Sequence, residues 1–116
     1  MGISTHILDT NLGTPARNVP VKLWEFRDDN TVGGSWRLLG EAYTDFDGRC
    51  KTLLGEHAVL ATQYKLAFNV GAYFYDLRVE SIYNTIEIAF TVTDPTQHHH
   101  IPLLLTANGY TTYRGS

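Results

Sequence analysis

Histidine and arginine side chains are the groups in this sequence best suited to acid–base chemistry, and they fall in three places. His6 lies in the middle of an apolar, alternating stretch near the N-terminus. Arg49 follows the turn-forming run Asp45-Phe46-Asp47-Gly48, and His98-His99-His100 forms the third group. An imidazole exchanges a proton near neutral pH, and a guanidinium binds a planar anion through two parallel hydrogen bonds. These residues are therefore the first candidates for a site.

Two of these candidates also have a purely structural explanation. His6 is compatible with a histidine at the edge of the core whose ring is satisfied by a backbone partner. Arg49 is compatible with a surface ion pair to Asp45 or Asp47, which would add little to stability. The residues alone leave both explanations open.

The histidine run raises the question of a metal site. On a strand, His98 and His100 share one face while His99 points to the other. Two imidazoles are too few ligands for zinc, so a third would be needed, and His6 is the available one. No carboxylate stands at a suitable position nearby. A metalloenzyme built on these histidines is therefore an alternative hypothesis, and we expect no metal or other cofactor.

The C-terminal segment is unusually aromatic and β-prone for a chain terminus. Residues 110–116 read Tyr-Thr-Thr-Tyr-Arg-Gly-Ser. Terminal segments are usually frayed unless they are tied down. This composition favours a tail that is held against a sheet.

The candidate residues must be positioned mainly by strands. Apolar residues recur with a period of two and are interrupted by Gly, Pro, Asn and Asp clusters, which predicts strands rather than long helices. A helix fits only residues 71–79. Eight strands are predicted, over residues 3–10, 19–26, 36–44, 49–54, 63–70, 83–93, 98–105 and 110–113. Turns are predicted at residues 11–15, 28–35, 47–48, 94–96 and 107–109. Eight short strands favour an all-β, two-sheet sandwich, in one domain over residues 1–116.

Composition excludes several classes of protein. A chain of 116 residues with 43% apolar and 18% charged residues has the makeup of one globular domain. The net charge is −3 without a basic run, so no nucleic-acid partner is expected. No apolar run approaches membrane-spanning length, so no membrane partner is expected. Cys50 is the only cysteine and no signal peptide is visible, which predicts a buried structural thiol and a cytoplasmic protein.

As a set, these motifs resemble those of the 5-hydroxyisourate hydrolases, which are transthyretin-like proteins. The runs that support the resemblance are Ser4-Thr5-His6-Ile7-Leu8-Asp9-Thr10, Gly13-Thr14-Pro15-Ala16, Val19-Pro20-Val21, Thr44-Asp45-Phe46-Asp47-Gly48-Arg49, His98-His99-His100-Ile101-Pro102-Leu103-Leu104-Leu105 and Tyr113-Arg114-Gly115-Ser116. The last of them is specific for the enzyme branch. The hormone carrier of the same fold lacks that tail and the His-Arg-His set.

The resemblance implies a fold, an assembly and a reaction. The fold is a prealbumin-like sandwich of two four-stranded antiparallel sheets with one short helix. The assembly is a homotetramer with active sites in channels between subunits. The reaction is hydrolysis of the small molecule 5-hydroxyisourate to 2-oxo-4-hydroxy-4-carboxy-5-ureidoimidazoline, in urate degradation. The alternative is a transthyretin-like carrier of small ligands without catalysis.

The resemblance also assigns roles to individual residues. It implies that His6 and His100 are catalytic and that Arg49 is both catalytic and substrate-binding. The remaining substrate-binding positions that it implies are Tyr113, Arg114, Gly115 and Ser116. Ser116 is expected to position the substrate or water and not to act as a nucleophile.

The chain departs from the family pattern in three places. His99 stands where the family usually has Tyr, and alternation places its side chain off the catalytic face. Thr106-Ala107-Asn108 replaces Ser-Pro-Tyr, and Asn84 replaces a Pro. None of these changes removes a reactive group.

Overall fold

The strands of the computed structural model form two sheets that enclose an apolar core. The structure describes residues 2–29 and 32–116. The elements are β1 (Ile3–Asp9), β2 (Thr14–Pro15), β3 (Pro20–Arg27), β4 (Ser35–Tyr43), β5 (Gln63–Phe68), α1 (Val70–Asp76), β6 (Ile86–Thr91), β7 (His99–Thr106) and β8 (Gly109–Thr112).

The two sheets differ in strand direction. The first has the order β2-β1-β7-β8, and the second has the order β4-β3-β5-β6. All neighbours in the second sheet are antiparallel. In the first sheet β1 and β7 run parallel, so this sheet is mixed. The prediction of two four-stranded sheets is confirmed, but the prediction that both are antiparallel is wrong for the first.

Alternation along the strands builds the core. Ile7 of β1 and Leu103 of β7 are fully buried from one sheet, and Leu23 of β3 and Leu66 of β5 are fully buried from the other. Because successive side chains point to opposite faces, every second position of β1 is left half-buried on the outer face. His6 lies on that outer face.

Seven of the predicted strands are present, with bounds that differ by no more than three residues. The predicted strand over residues 49–54 is wrong, because only Arg49 forms a bridge, to His6. Hydrogen bonds from Gly55 N to Thr52 O and from His57 N to Leu54 O, both of 3.1 Å, bend the chain before a ladder can form. The eighth strand is instead β2, which lies within the predicted turn over residues 11–15.

The predicted helix is confirmed as α1, which begins one residue earlier than expected and ends at Asp76. The Asn69 side chain caps it by accepting a hydrogen bond from Ala72 N. The Tyr73 hydroxyl donates to Asp9 Oδ2 at 2.7 Å, which ties the helix to β1. Asp9 faces the core, on the opposite side of β1 from His6.

Two observations complete the fold. The turn predicted over residues 28–35 includes Asn30 and Thr31, which lie outside the described residues. Within the part of the chain that the structure describes, no helix is long and apolar enough to cross a membrane.

Candidate active site

The outer face of β1 and the start of β7 bring the candidate residues together. Ser4 and His6 share the outer face of β1. The parallel register pairs Ser4 with His100 of β7. On the other edge of β1, Arg49 forms an isolated backbone bridge with His6. Neighbouring strands lie about 4.8 Å apart, so the histidines and Arg49 are close in space although they are far apart in sequence.

A tight turn fixes the backbone position of Arg49. Asp45 Oδ1 accepts hydrogen bonds from Asp47 N at 2.9 Å and from Arg49 N at 3.0 Å. The bond from the Arg49 backbone is the main cause that lowers the pKa of the Asp45 carboxyl. Gly48 has φ +74°, and a Cβ there would lie 2.4 Å from Ile7 O. Glycine is therefore required at the point where this turn meets β1.

The Arg49 side chain is exposed and free for a ligand. Within residues 2–29 and 32–116, its guanidinium forms no ion pair, either with Asp45 or with Asp47. The charge of Arg49 still contributes to the lowered pKa of Asp45, as the smallest of its causes, but no direct salt bridge holds the guanidinium.

The Ser4 hydroxyl lies between two imidazoles. Ser4 Oγ is 2.7 Å from His98 Nε2 and 2.7 Å from His100 Nδ1. His99 points to the opposite face, where it is buried and its Nδ1 lies 3.0 Å from Gln97 O. The predicted alternation of the histidine run is confirmed. Sequence reasoning did not single out Ser4, because nothing around a serine in β1 shows that β7 lies beside it.

The surroundings of His100 favour its neutral form. Burial lowers its pKa below the usual 6.5, and the positive charge of Arg49 lowers the pKa further, with smaller contributions from His6 and His98, while a hydrogen bond with Ser4 acts in the opposite direction. Burial lowers the pKa of His98 as well. A neutral imidazole at neutral pH can accept a proton, which is what a general base must do.

The tail folds back onto His100. Gly115 N donates to His100 O at 2.8 Å, and a Cβ on Gly115 would lie 2.5 Å from His100 Cδ2. Arg114 Nη2 donates to Gln97 Oε1 at 3.0 Å. The backbone of the tail is thus held against β7, and the absence of a side chain at Gly115 lets it pack on the imidazole.

These elements surround a cleft of about 620 Å³. Its polar lining consists of Ser4, Thr5, Arg49, Lys51, His98, His100 and Ser116. The small and apolar residues that complete the lining are Gly2, Ile3, Cys50, Leu53, Leu54 and Gly55. The cleft falls within the size range of small-molecule sites, about 300–1,000 Å³. Of the predicted site residues, the structure places Arg49, His100 and Ser116 in this lining, with Gly115 packed on His100. His6 lies beside Arg49 outside the lining, and Tyr113 and Arg114 also lie outside it.

Cys50 borders the same cleft as a buried, free thiol. Burial raises its pKa to about 11, so the thiolate that a nucleophilic cysteine needs is scarce at neutral pH. In the described ranges, no group of three or more His, Cys, Asp or Glu side chains is arranged to hold a metal ion.

Comparison with known proteins identifies the family of this chain. The model of the HIUase/Transthyretin family matches residues 3–115. The chain belongs to this family. The resemblance identified from the sequence motifs is thereby confirmed.

Curated and structural relatives of this HIUase/Transthyretin family member include 5-hydroxyisourate hydrolases and a transthyretin. The 5-hydroxyisourate hydrolase of Mus musculus is 40% identical over 114 residues, which cover 98% of this chain and 94% of the mouse protein. The structure of Klebsiella pneumoniae 5-hydroxyisourate hydrolase is 33% identical with a TM-score of 0.80, over 98% of this chain and 92% of that one. Sea bream transthyretin in complex with thyroxine is 27% identical with a TM-score of 0.86, over 97% and 93%.

Proposed function

We propose that this chain is an enzyme that hydrolyses 5-hydroxyisourate, opening its ring by cleavage of a C–N bond to give 2-oxo-4-hydroxy-4-carboxy-5-ureidoimidazoline in urate degradation. The observation that supports the proposal best is the cleft in which Arg49, His100 and Ser116 meet. A carrier of apolar ligands needs a lining made of small and apolar groups, whereas this lining adds two cations, two imidazoles and several hydroxyls to its apolar side chains. The names of the mouse and Klebsiella relatives agree with the reaction.

The reaction requires a general base that deprotonates water, a group that stabilises the developing oxyanion, and side chains that bind a flat polar ring. In the proposed mechanism His100, held neutral at working pH, takes the proton from water and returns it to the departing ring nitrogen. Arg49 binds the ring oxygens and stabilises the negative charge that develops on the attacked carbonyl. His6, next to Arg49, holds the attacking water as a hydrogen-bond partner.

The tail supplies the remaining contacts in this proposal. Ser116 borders the cleft, and its hydroxyl positions the substrate. Tyr113, Arg114 and Gly115 place Ser116 and shape the substrate-binding wall, which the hydrogen bond from Gly115 N to His100 O supports. No covalent intermediate is required, because water is the nucleophile.

We further propose that the protein is a homotetramer whose sites lie in channels between subunits. The strands β6 and β8 each end a sheet and leave one edge unpaired. Unpaired edges are normally covered, and a second copy of the same strand is a suitable cover. Tyr110 on β8 is 41% exposed and Tyr113 is 54% exposed, so two aromatic rings stand at this edge available for such a contact.

Two broader proposals accompany the reaction. The core that both sheets share supports one domain over residues 1–116. The lone free thiol of Cys50 supports a reducing compartment such as the cytoplasm.

Product analysis tests the proposed reaction. Freshly generated 5-hydroxyisourate is incubated with and without the protein, and the products are followed by mass spectrometry. We expect rapid formation of a species with the mass of the substrate plus one water. The new carboxylate that cleavage of the ring C–N bond leaves distinguishes this product from a simple hydrate. Recovery of unchanged substrate bound to the protein would instead identify a carrier.

A further inference from the structure

The hydroxyl of Ser4 occupies a position that the proposed reaction leaves unexplained. It contacts Nδ1 of His100 and Nε2 of His98 at 2.7 Å each. The parallel pairing of β1 with β7 sets this position, because Ser4 is the direct partner of His100 in the register. The three side chains form a continuous chain of hydrogen-bonding groups that starts at the cleft.

The hydroxyl couples the tautomers of the two rings. A serine hydroxyl has one proton to donate, so it donates to one imidazole and accepts from the other. When His100 carries its proton on Nδ1 and donates to Ser4, Nε2 of His100 has a free lone pair and Ser4 donates to His98. Within the described chain, Nε2 of His100 has no hydrogen-bond partner, so it is available to a water molecule in the cleft.

We propose that Ser4 and His98 are positioning residues that act through His100, as a relay that passes the proton taken up at His100 on to a second imidazole. The relay rests on the proposed hydrolysis of 5-hydroxyisourate and extends it by two residues.

The proton steps balance in both directions. As Nε2 of His100 takes a proton from water, its Nδ1 proton passes to Ser4 Oγ, and the Ser4 proton passes to Nε2 of His98. His100 is then neutral with its proton on Nε2, His98 is an imidazolium, and hydroxide has added to the carbonyl. When the C–N bond breaks, His100 gives its Nε2 proton to the ring nitrogen. In the same step His98 returns its proton through Ser4 to Nδ1 of His100, so His100 remains neutral throughout.

Differences in burial and in nearby charge explain why His98, the last group of the relay, carries the positive charge in place of His100. His100 is half-buried and faces Arg49 and His6, whereas His98 is exposed to solvent. An imidazolium is less costly where water solvates it. Burial is the main cause that lowers the pKa of His98, followed by the positive charge of the N-terminal amino group and by His99, while Arg49 is not among the causes.

Single substitutions test the relay in the full chain. With freshly generated 5-hydroxyisourate, Ser4→Ala should lower kcat about 10- to 100-fold, less than the loss of a direct acid–base group because Ser4 acts through His100, with little change in KM. Ser4→Thr keeps the hydroxyl and should restore most of kcat. His98→Gln changes an exposed side chain and should show a loss similar to that of Ser4→Ala. His57→Gln, at an exposed histidine outside the cleft lining, is the matched control and should leave kcat unchanged.

Two further readouts separate a relay from a merely structural role. The double variant Ser4→Ala with His98→Gln should be no slower than either single variant, because groups that act as one unit lose their effect together. In mixtures of H₂O and D₂O, kcat of the wild type should curve with deuterium fraction, since several protons move together, and kcat of Ser4→Ala should vary linearly.

The outcomes distinguish failure of the relay from failure of the reaction. An active wild type whose kcat is unchanged by both Ser4→Ala and His98→Gln would overturn the relay and leave the hydrolase intact. Additive losses in the double variant would also overturn it. A wild type no faster than spontaneous decay would overturn the reaction and the relay together.

Discussion

At the scale of single residues, His100 shows how several neighbours tune one side chain. Burial and Arg49 lower its pKa, Ser4 occupies its Nδ1, and Gly115 packs on the edge of its ring. Each influence comes from a different part of the chain, and together they leave Nε2 neutral and open to the cleft. This combination is suited to a general base.

Alanine substitutions test the proposed roles of the three central residues. Loss of an acid–base group typically costs about a hundred- to ten-thousandfold in rate, so His100→Ala should lower kcat/KM by that order. His6→Ala should also lower it strongly, because it removes the hydrogen-bond partner of the attacking water. Arg49→Ala should give a comparable loss, since it removes both a substrate contact and the charge opposite the oxyanion. All three variants should keep the circular dichroism spectrum of the wild type. Near-wild-type rates in all three would refute these assignments.

Titration of His100 tests the electrostatics separately from catalysis. The pKa of His100 is lowered below 6.5. The neutral base is therefore present at every pH above this lowered pKa, and it is lost as the pH falls through the lowered pKa. The rate should therefore decline only at acidic pH. Nuclear magnetic resonance should show His100 titrating below 6.5, and Arg49→Ala should move that pKa upward because a nearby positive charge is removed. A downward shift or no shift would contradict the role given to Arg49.

Some of this chemistry was predictable from the sequence, and some was not. Strand alternation alone places His98 and His100 on one face and His99 on the other. The link through Ser4 was not predictable, because it depends on a parallel register between strands that are more than ninety residues apart in sequence. A serine in a strand has no local signature of such a partner.

At the scale of elements, the C-terminal tail depends on a glycine. A Cβ on Gly115 would lie 2.5 Å from His100 Cδ2, so Gly115→Ala must displace either the tail or the imidazole. Because displacements near 1 Å can cost about a hundredfold, we expect a rate loss of about 10- to 100-fold with an unchanged melting temperature. Gly109→Ala is the matched control, since its Cβ would meet Thr106 Oγ1 at 3.6 Å, an ordinary contact. Equal rates for the two variants would contradict the packing of the tail on His100.

Removal of the tail tests its contribution as a unit. Since β8 ends at Thr112, deleting residues 113–116 leaves every strand intact, and we expect a folded protein with no measurable hydrolysis. Ser116→Ala alone should reduce the rate less than loss of either histidine, because Ser116 is given a positioning role. Stopped-flow rates and circular dichroism on both variants provide the measurement. A fully active truncated chain would exclude the tail from the site.

The strands were largely predictable because the alternation of apolar and polar residues in the sequence follows the alternation of buried and exposed positions along a strand. Strands such as β3 and β5 show it clearly, and their inner positions are fully buried. The strand predicted over residues 49–54 failed because turns at residues 52–57 compete with pairing, which a period-two pattern does not register. Strand direction in the first sheet failed for another reason: alternation is identical in parallel and antiparallel strands.

At the scale of the whole molecule, the fold alone does not decide between enzyme and carrier. The TM-scores are 0.80 with a hydrolase and 0.86 with a transthyretin, so the backbone resembles both. One fold can support unrelated functions, and function is decided by the site. The cleft with Arg49, His100 and Ser116 is the feature that favours the enzyme.

Assembly gives a prediction at the same scale. The proposed homotetramer should have a mass of about 52 kDa, four times the 13.0 kDa of one chain. Multi-angle light scattering measures this directly. A charge placed on the unpaired edge, as in Tyr110→Glu, should lower the mass and the rate together if the sites lie between subunits. A monomeric mass for the fully active wild type would contradict a site between subunits.

Catalytic turnover of 5-hydroxyisourate is the most direct test of the central claim. The ultraviolet absorbance of freshly generated substrate is followed at several protein concentrations, each far below the substrate concentration. An enzyme should raise the decay rate in proportion to its concentration and consume many equivalents of substrate. Decay at the spontaneous rate at every concentration would contradict the proposed hydrolase.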